Sequence, residues 1–128
     1  MLTSFCVAKI HRATVTEADL NYVGSITIDE VLLEKSGIKP FQMVKVHNLS
    51  NAAAWQTYAI AGARGSGTIC LNGPPARLFQ PGDKVIIIAE AYLEPAEVDD
   101  LVPVVVFVDE KNRVTKVEKH ALRATSPA

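Results

Sequence analysis

A chain of 128 residues with 48% apolar content can bury one core and is short for two domains. Its net charge of −1 carries no basic footprint for nucleic acid, and its longest apolar runs, 85–89 and 101–108, fall far short of the ~20 residues of a membrane span. Aromatic residues make up only 6%, and Val, Ile and Ala supply much of the apolar content, which favours strands and a small packed barrel over a large aromatic-lined pocket.

Phe5, Val7, Ile10, Ala13 and Val15 predict a long strand over Ser4–Val15. Lys9 and His11 are two apart and share a face if that strand is regular. Met1–Lys9 is too short for a secretory signal and is interrupted by Lys9. Thr16-Glu17-Ala18-Asp19 reads as a capping-type turn. Asp29 is a good N-cap for a short amphipathic helix over 30–35. Glu30 and Glu34 suit its positive end, Lys35 its tail, and Gly37 its stop.

Gln42–Leu49 alternates as a strand, and 50–54 is a hairpin turn that lacks its usual glycine. Trp55–Ala61 is the returning strand. Gly62, Gly65 and Gly67 punctuate a loop, and 67–71 is a short strand. Asn72-Gly73-Pro74-Pro75 makes a sharp bend into a helical 76–79 segment. After a turn at Pro81-Gly82-Asp83 comes a central strand, Lys84–Leu93. An acidic helical turn over 94–100 leads to a strand over 101–108, which Pro103 pushes toward an edge. The last strand is Val114–Val117, and the tail 121–128 is expected to be mobile. A short helix, a Pro-bearing turn and a strand occur twice, which fits a pseudo-twofold barrel.

Cys6 and Cys70 lie far apart without metal spacing, so free, buried thiols in a reducing cytosol are expected. His11, His47 and His120 have no close ligand spacing, and no metal site is expected.

One dipeptide carries unusual chemistry. Gly24-Ser25 sits between apolar, β-branched residues. Gly24 reaches backbone conformations closed to other residues. Beside it, the Ser25 hydroxyl can attack the Gly24 carbonyl and turn the peptide into an ester. Elimination of that ester cuts the chain and leaves dehydroalanine, and hydrolysis then gives an N-terminal ketone, a pyruvoyl group. Gly-Ser is also a common turn dipeptide, and these residues alone leave both readings open.

Beyond that dipeptide, the chain resembles the pyruvoyl-dependent aspartate 1-decarboxylases from Leu2 to about Val108. The matching segments are Lys9–Thr16, Ala18–Leu20, Tyr22–Asp29, Thr57–Ile60, Arg64–Gly67, Leu71–Ala76 and Pro81–Asp83. The resemblance implies a mainly β fold, a double-psi β-barrel with short helices, assembled as a homotetramer. It implies a single domain, 1–128, that cleaves itself into 1–24 and 25–128, for which some relatives need a maturation partner. It implies conversion of L-aspartate to β-alanine and CO2 through a Schiff base on the Ser25-derived pyruvoyl cofactor. That reaction would feed pantothenate and coenzyme A synthesis in the cytosol.

The site residues follow from the same resemblance. Ser25 and Tyr58 are catalytic, with Tyr58 as the proton donor. Gly24, Ser25 and Thr57 serve self-processing, with Thr57 bonding the developing oxyanion. Lys9, His11, Thr57, Asn72, Gly73, Pro74 and Pro75 bind or frame the amino-acid substrate. One departure stands out: the arginine expected three residues before Thr57 is Ala54. Lys9, Arg12, Arg64 or His47 are candidates to compensate. A different amino-acid substrate, or an unprocessed non-catalytic barrel, are the alternatives.

Overall fold

The computed structural model describes residues 1–122, so most of the tail expected from 121 onward lies outside the described residues. Nine strands, two short helices and one 3-10 turn occur among those residues: β1 (Thr3–Thr14), β2 (Glu17–Asp19), β3 (Ser25–Asp29), α1 (Glu30–Ser36), β4 (Met43–Asn48), β5 (Ala54–Gly62), β6 (Ile69–Asn72), the 3-10 turn Pro74–Arg77, β7 (Lys84–Leu93), α2 (Pro95–Val98), β8 (Val104–Val108) and β9 (Val114–Lys119). Their order in the sheet is β2-β6-β3-β5-β4-β7-β1-β8-β9.

That order closes on itself. Only Val15 and Thr16 separate β1, which pairs with β7, from β2, which pairs with β6. The Val15 N–H donates to the Asp83 carbonyl at 2.8 Å. The Thr16 N–H donates to the Ile69 carbonyl at 2.8 Å, and the Ile69 N–H returns a bond to the Thr16 hydroxyl at 2.9 Å. The stretch 3–19 therefore serves as both ends of the ring, and the result is the double-psi β-barrel, with β8 and β9 added outside on β1. The expected capping turn at 16–19 is instead this closing strand. Nothing local marks it, because its partner lies some fifty residues on.

The core is aliphatic. Val44 and Val46 of β4, Val85 and Ile87 of β7, Ile26 and Ile28 of β3, and Leu32 of α1 are buried, each on the inward side of its element. Phe79 is the one fully buried aromatic among the described residues. Strict alternation fails twice in β1, first where the register to β7 shifts between Cys6 and Ala8. Arg12 then takes φ +60, and the register to β7 shifts again between Ile10 and Ala13. This bulge adds a residue, so Ile10 and Ala13 both face inward although they are three apart.

The hairpin turn without glycine is held by side chains. Asn48 accepts from the Ser50 N–H and Asn51 from the Ala53 N–H, while Ala52 takes φ +61. Two expectations are corrected. Pro103 precedes β8, which pairs on both sides, and the outer strand is β9. Cys6 is exposed, and only Cys70 is a buried free thiol.

Asp29 ties α1 to the barrel. Its carboxylate accepts from the N–H groups of Val31, Gly65 and Gly67 at 2.8–2.9 Å, so one side chain caps the helix and shapes the 63–68 loop. Gly67 has φ +71, and a Cβ there would lie 2.5 Å from the Lys111 carbonyl oxygen. Burial pushes the Asp29 carboxyl up, but the Gly67, Val31 and Gly65 donors, with Arg64 nearby, outweigh it and hold the group below its usual range. A carboxylate whose folded value is depressed contributes fully above its unfolded value of about 3.9, and the contribution is lost as pH falls toward the folded value. Asp29→Asn should cost about 2 kcal/mol at neutral pH and flatten the acid limb of stability. Urea melts of both proteins across about pH 2–7 check this, and equal acid sensitivity would refute it.

Candidate active site

Gly24 sits at a bend just before β3, and Ser25 is the first residue of that strand. The bend is prepared upstream, where the Asp19 carboxylate accepts from the Asn21 N–H at 3.0 Å. Ile26 and Ile28 point into the core, so Ser25 and Thr27 face the other way. Ser25 is nonetheless only 1% exposed. The bend at 72–75 covers it.

That bend follows from its residues. β6 ends at Asn72, which pairs with Ser25 on one side and Asp19 on the other. Gly73 then takes φ 78, ψ −143, a conformation essentially reserved for glycine. Its N–H donates to the Asp19 carbonyl at 2.7 Å. A Cβ on Gly73 would lie 2.9 Å from the Gly24 Cα and 3.1 Å from the Tyr22 carbonyl oxygen. Glycine is thus required twice, for the dihedral and for backbone-to-backbone approach. Pro74 packs beside Gly24, and Pro75 is buried at the start of the 3-10 turn.

The polar contacts of Ser25 are specific. Asn72 Nδ2 donates to Ser25 Oγ at 2.9 Å and to Thr27 Oγ1 at 2.9 Å. The Ser25 hydroxyl faces the Val23 carbonyl at 3.4 Å. Cys70 Sγ lies 3.2 Å from Asn72 Oδ1. Burial, then Glu17 and Asp19, push the Cys70 thiol up to about 11, so it stays protonated at neutral pH.

Thr57 approaches from β5. Ile26 pairs with Ala59 in parallel register, and two residues earlier on each strand come Gly24 and Thr57. Thr57 is buried on the inward side of β5. Tyr58 faces outward, opposite Met43, with its ring stacked on Phe41 at 5.4 Å and 8°.

Lys9 and His11 also lie on an outward face, on β1. Lys9 pairs with Ile88 and Val105, on strands that do not adjoin β3. His11 packs edge-on against Phe107 at 5.4 Å, and its buried Nδ1 has no hydrogen-bond partner. Burial, with Lys9 and Arg12 adding to it, lowers the His11 value, so the ring is neutral near pH 7.

Within one chain, then, Gly24, Ser25, Asn72, Gly73, Pro74 and Pro75 come together, with Thr57 level with the bond. Lys9, His11 and Tyr58 stand apart from them. Ala54 opens β5 directly across from His47. Arg64 is engaged with Glu30 and Glu34, away from that end of β5. Thr27 and Cys70 were missed in the sequence. The signal was period two: Thr27 follows Ser25 by two, and Cys70 precedes Asn72 by two.

The aspartate decarboxylase family model matches residues 1–115. The chain is 58% identical to the aspartate 1-decarboxylase of Carboxydothermus hydrogenoformans, over 93% of this chain and 94% of that protein. It is 54% identical to the aspartate 1-decarboxylase of Lactiplantibacillus plantarum, over 97% and 98% of the two chains. A match that begins at the first residue, spans the whole barrel and exceeds half identity has one meaning: the chain belongs to the aspartate decarboxylase family.

Proposed function

We propose that this chain is an aspartate 1-decarboxylase that makes its own pyruvoyl group by cutting itself between Gly24 and Ser25, giving 1–24 and 25–128. The observation that carries this is the buried Ser25 hydroxyl, fixed by Asn72 beside a Gly24 peptide that Gly73 approaches backbone to backbone. In the first step Ser25 Oγ bonds to the Gly24 carbonyl carbon, the C–N bond breaks, and the hydroxyl proton passes to the Ser25 nitrogen. Thr57, level with Gly24, steadies the oxyanion that develops on the way. The Ser25 Cα then loses its proton, the Cβ–Oγ bond breaks, and the pair leaves on the Gly24 carboxylate. Water replaces the nitrogen of the resulting dehydroalanine and releases ammonia.

The site suits the group it would hold. It is closed by the 72–75 bend, and Asn72 supplies a donor beside residue 25. The pyruvoyl ketone supplies an electron sink for the pair left when CO2 departs from an amino acid. Tyr58 returns a proton from its Oη to the substrate carbon. Lys9 and His11, two apart on the outward face of β1, hold the substrate carboxylate.

Tyr58, Lys9 and His11 face away from Ser25 within one chain, which supports a homotetramer in which one copy serves the next. Phe41 and Met43 beside Tyr58 are 73% and 49% exposed, more apolar surface than a lone barrel needs there. The free thiols, one of them exposed, suit a reducing cytosol. No helix of the described residues is long and apolar enough to cross a membrane.

Intact-mass spectrometry should find the two pieces, the larger with a ketone that borohydride and an amine reduce together. Ser25→Ala should stay one chain without activity. Release of CO2 by protein whose residue 25 is still serine would sink the proposal. Gly73→Ala should slow cleavage at least tenfold and lower stability by about 1–3 kcal/mol, from its dihedral strain and its contact with Gly24. Ala54→Arg should lower the KM for aspartate about tenfold, because a charge-assisted bond to a carboxylate contributes ~1.5–3 kcal/mol. Steady-state kinetics at one pH check this.

A further inference from the structure

Asn72 can meet two hydroxyls in either orientation of its carboxamide, since a hydroxyl both donates and accepts. Something else must choose which end faces Ser25. Cys70 is placed to do so. Its thiol is buried and stays protonated, so it has a proton to donate. Asn72 Oδ1 lies 3.2 Å from that sulfur. With Oδ1 engaged there, Nδ2 turns to Ser25 Oγ and Thr27 Oγ1, each at 2.9 Å. Thr27 fixes the second N–H and so sets the tilt of the amide. All four side chains share one face of the β3–β6 pair, and Ser25, Cys70 and Asn72 are each no more than 5% exposed. Water is therefore poorly placed to substitute for any of those three.

The direction of the bond matters for chemistry. Ser25 Oγ is the oxygen that departs from Cβ in the elimination step, when it becomes part of the Gly24 carboxylate. A donor aimed at that oxygen stabilises the charge it gains. The reversed amide would present a lone pair to the same atom and oppose its departure.

We infer that Cys70 and Thr27 are positioning residues, which orient the Asn72 carboxamide as a donor to Ser25 Oγ and so promote elimination of the Gly24–Ser25 ester. This rests on the self-cleavage proposed above, and it separates the making of the ester from its elimination. Neither residue touches the scissile carbonyl, so their loss should act on the second step alone.

The test is a time course of the full chain after brief cell-free synthesis, read by intact mass with and without hydroxylamine. Hydroxylamine cleaves an ester to leave a Gly24 hydroxamate and a free Ser25 amine, whereas elimination leaves a pyruvoyl. Cys70→Ala and Thr27→Val should slow pyruvoyl formation about tenfold each, the rate equivalent of one ~1.4 kcal/mol hydrogen bond. Both should raise the hydroxylamine-cut fraction. Cys70→Ser and Thr27→Ser, which keep a donor or acceptor in place, should restore pyruvoyl formation. Thermal melts of all four separate slow chemistry from poor folding. Pyruvoyl formation at the wild-type rate in Cys70→Ala and Thr27→Val overturns the positioning role while leaving self-cleavage intact. So does a Cys70→Ser variant as slow as Cys70→Ala. A wild-type chain that stays whole, with no hydroxylamine-sensitive bond, overturns self-cleavage itself and this inference with it.

Discussion

The paired bonds between Thr16 and Ile69 are the constraint on which the rest of the molecule depends. A sheet of this size has two edges unless one stretch of chain can leave its first neighbour and join its last. Residues 3–19 do this, and the hand-over from β7 to β6 is sealed within two residues. Sealing the ring holds β6 between β2 and β3. Asn72 then has Asp19 on one side and Ser25 on the other, and the bend that follows must turn back across Gly24. The Gly24-Ser25 dipeptide is thus confined by the closure of the barrel, through strands far apart in sequence, and not by its own turn propensity.

Confinement has an energetic side. Ser25, Asn72, Cys70 and Thr57 are polar, yet each lies at or below 7% exposure. Buried polar groups that find partners rigidify a structure, while unpaired ones cost about 1–3 kcal/mol each. The Cys70–Asn72–Ser25/Thr27 chain satisfies Ser25, Asn72 and Cys70 with one another, so the amide has little freedom left to turn. His11 is the exception among the described residues, with a buried Nδ1 that nothing in its own chain meets.

What could be read in the sequence was what is local. Asp29 as N-cap, Gly37 as left-handed stop and the β7 boundaries all emerge from near neighbours, and the structure has them where expected. What could not be read was set from a distance. β2 is a strand because β6 is beside it, and Thr16 spends its hydroxyl on Ile69 instead of capping a helix. The Arg12 bulge breaks the two-residue period because β7 demands it, and Ala52 accepts a left-handed dihedral because two asparagines hold the turn. Pro103 looked like an edge signal, yet a proline just before a strand does not stop β9 from adding to it. In the site, Gly24, Ser25, Asn72 and Gly73 were legible through family resemblance, and their closeness is now geometric. Thr27 and Cys70 were passed over because a threonine and a cysteine in apolar strands look like filling. Only the register that sets Thr27 opposite Cys70 gives them a role.

Adjacent residues on β5 divide the labour that the proposed function requires. Thr57 faces inward, level with Gly24, and Tyr58 faces outward on Phe41. A regular strand cannot aim both at one point in one chain. The difficulty disappears if the two act at different stages. On the proposed function, forming the ketone draws on Gly24, Ser25, Thr57 and Asn72, all within one barrel. On the same proposal, using it draws on Tyr58, Lys9 and His11, which one barrel holds on faces turned away from Ser25. Maturation on this reading is a property of the fold, and turnover a property of the assembly. A strand whose two faces serve two centres also explains why the outward face of this barrel is less polar than solvent alone would favour. On the same proposal, Ala54, at the exposed start of β5 beside His47, could alter how substrate is gripped without touching the residues around Ser25.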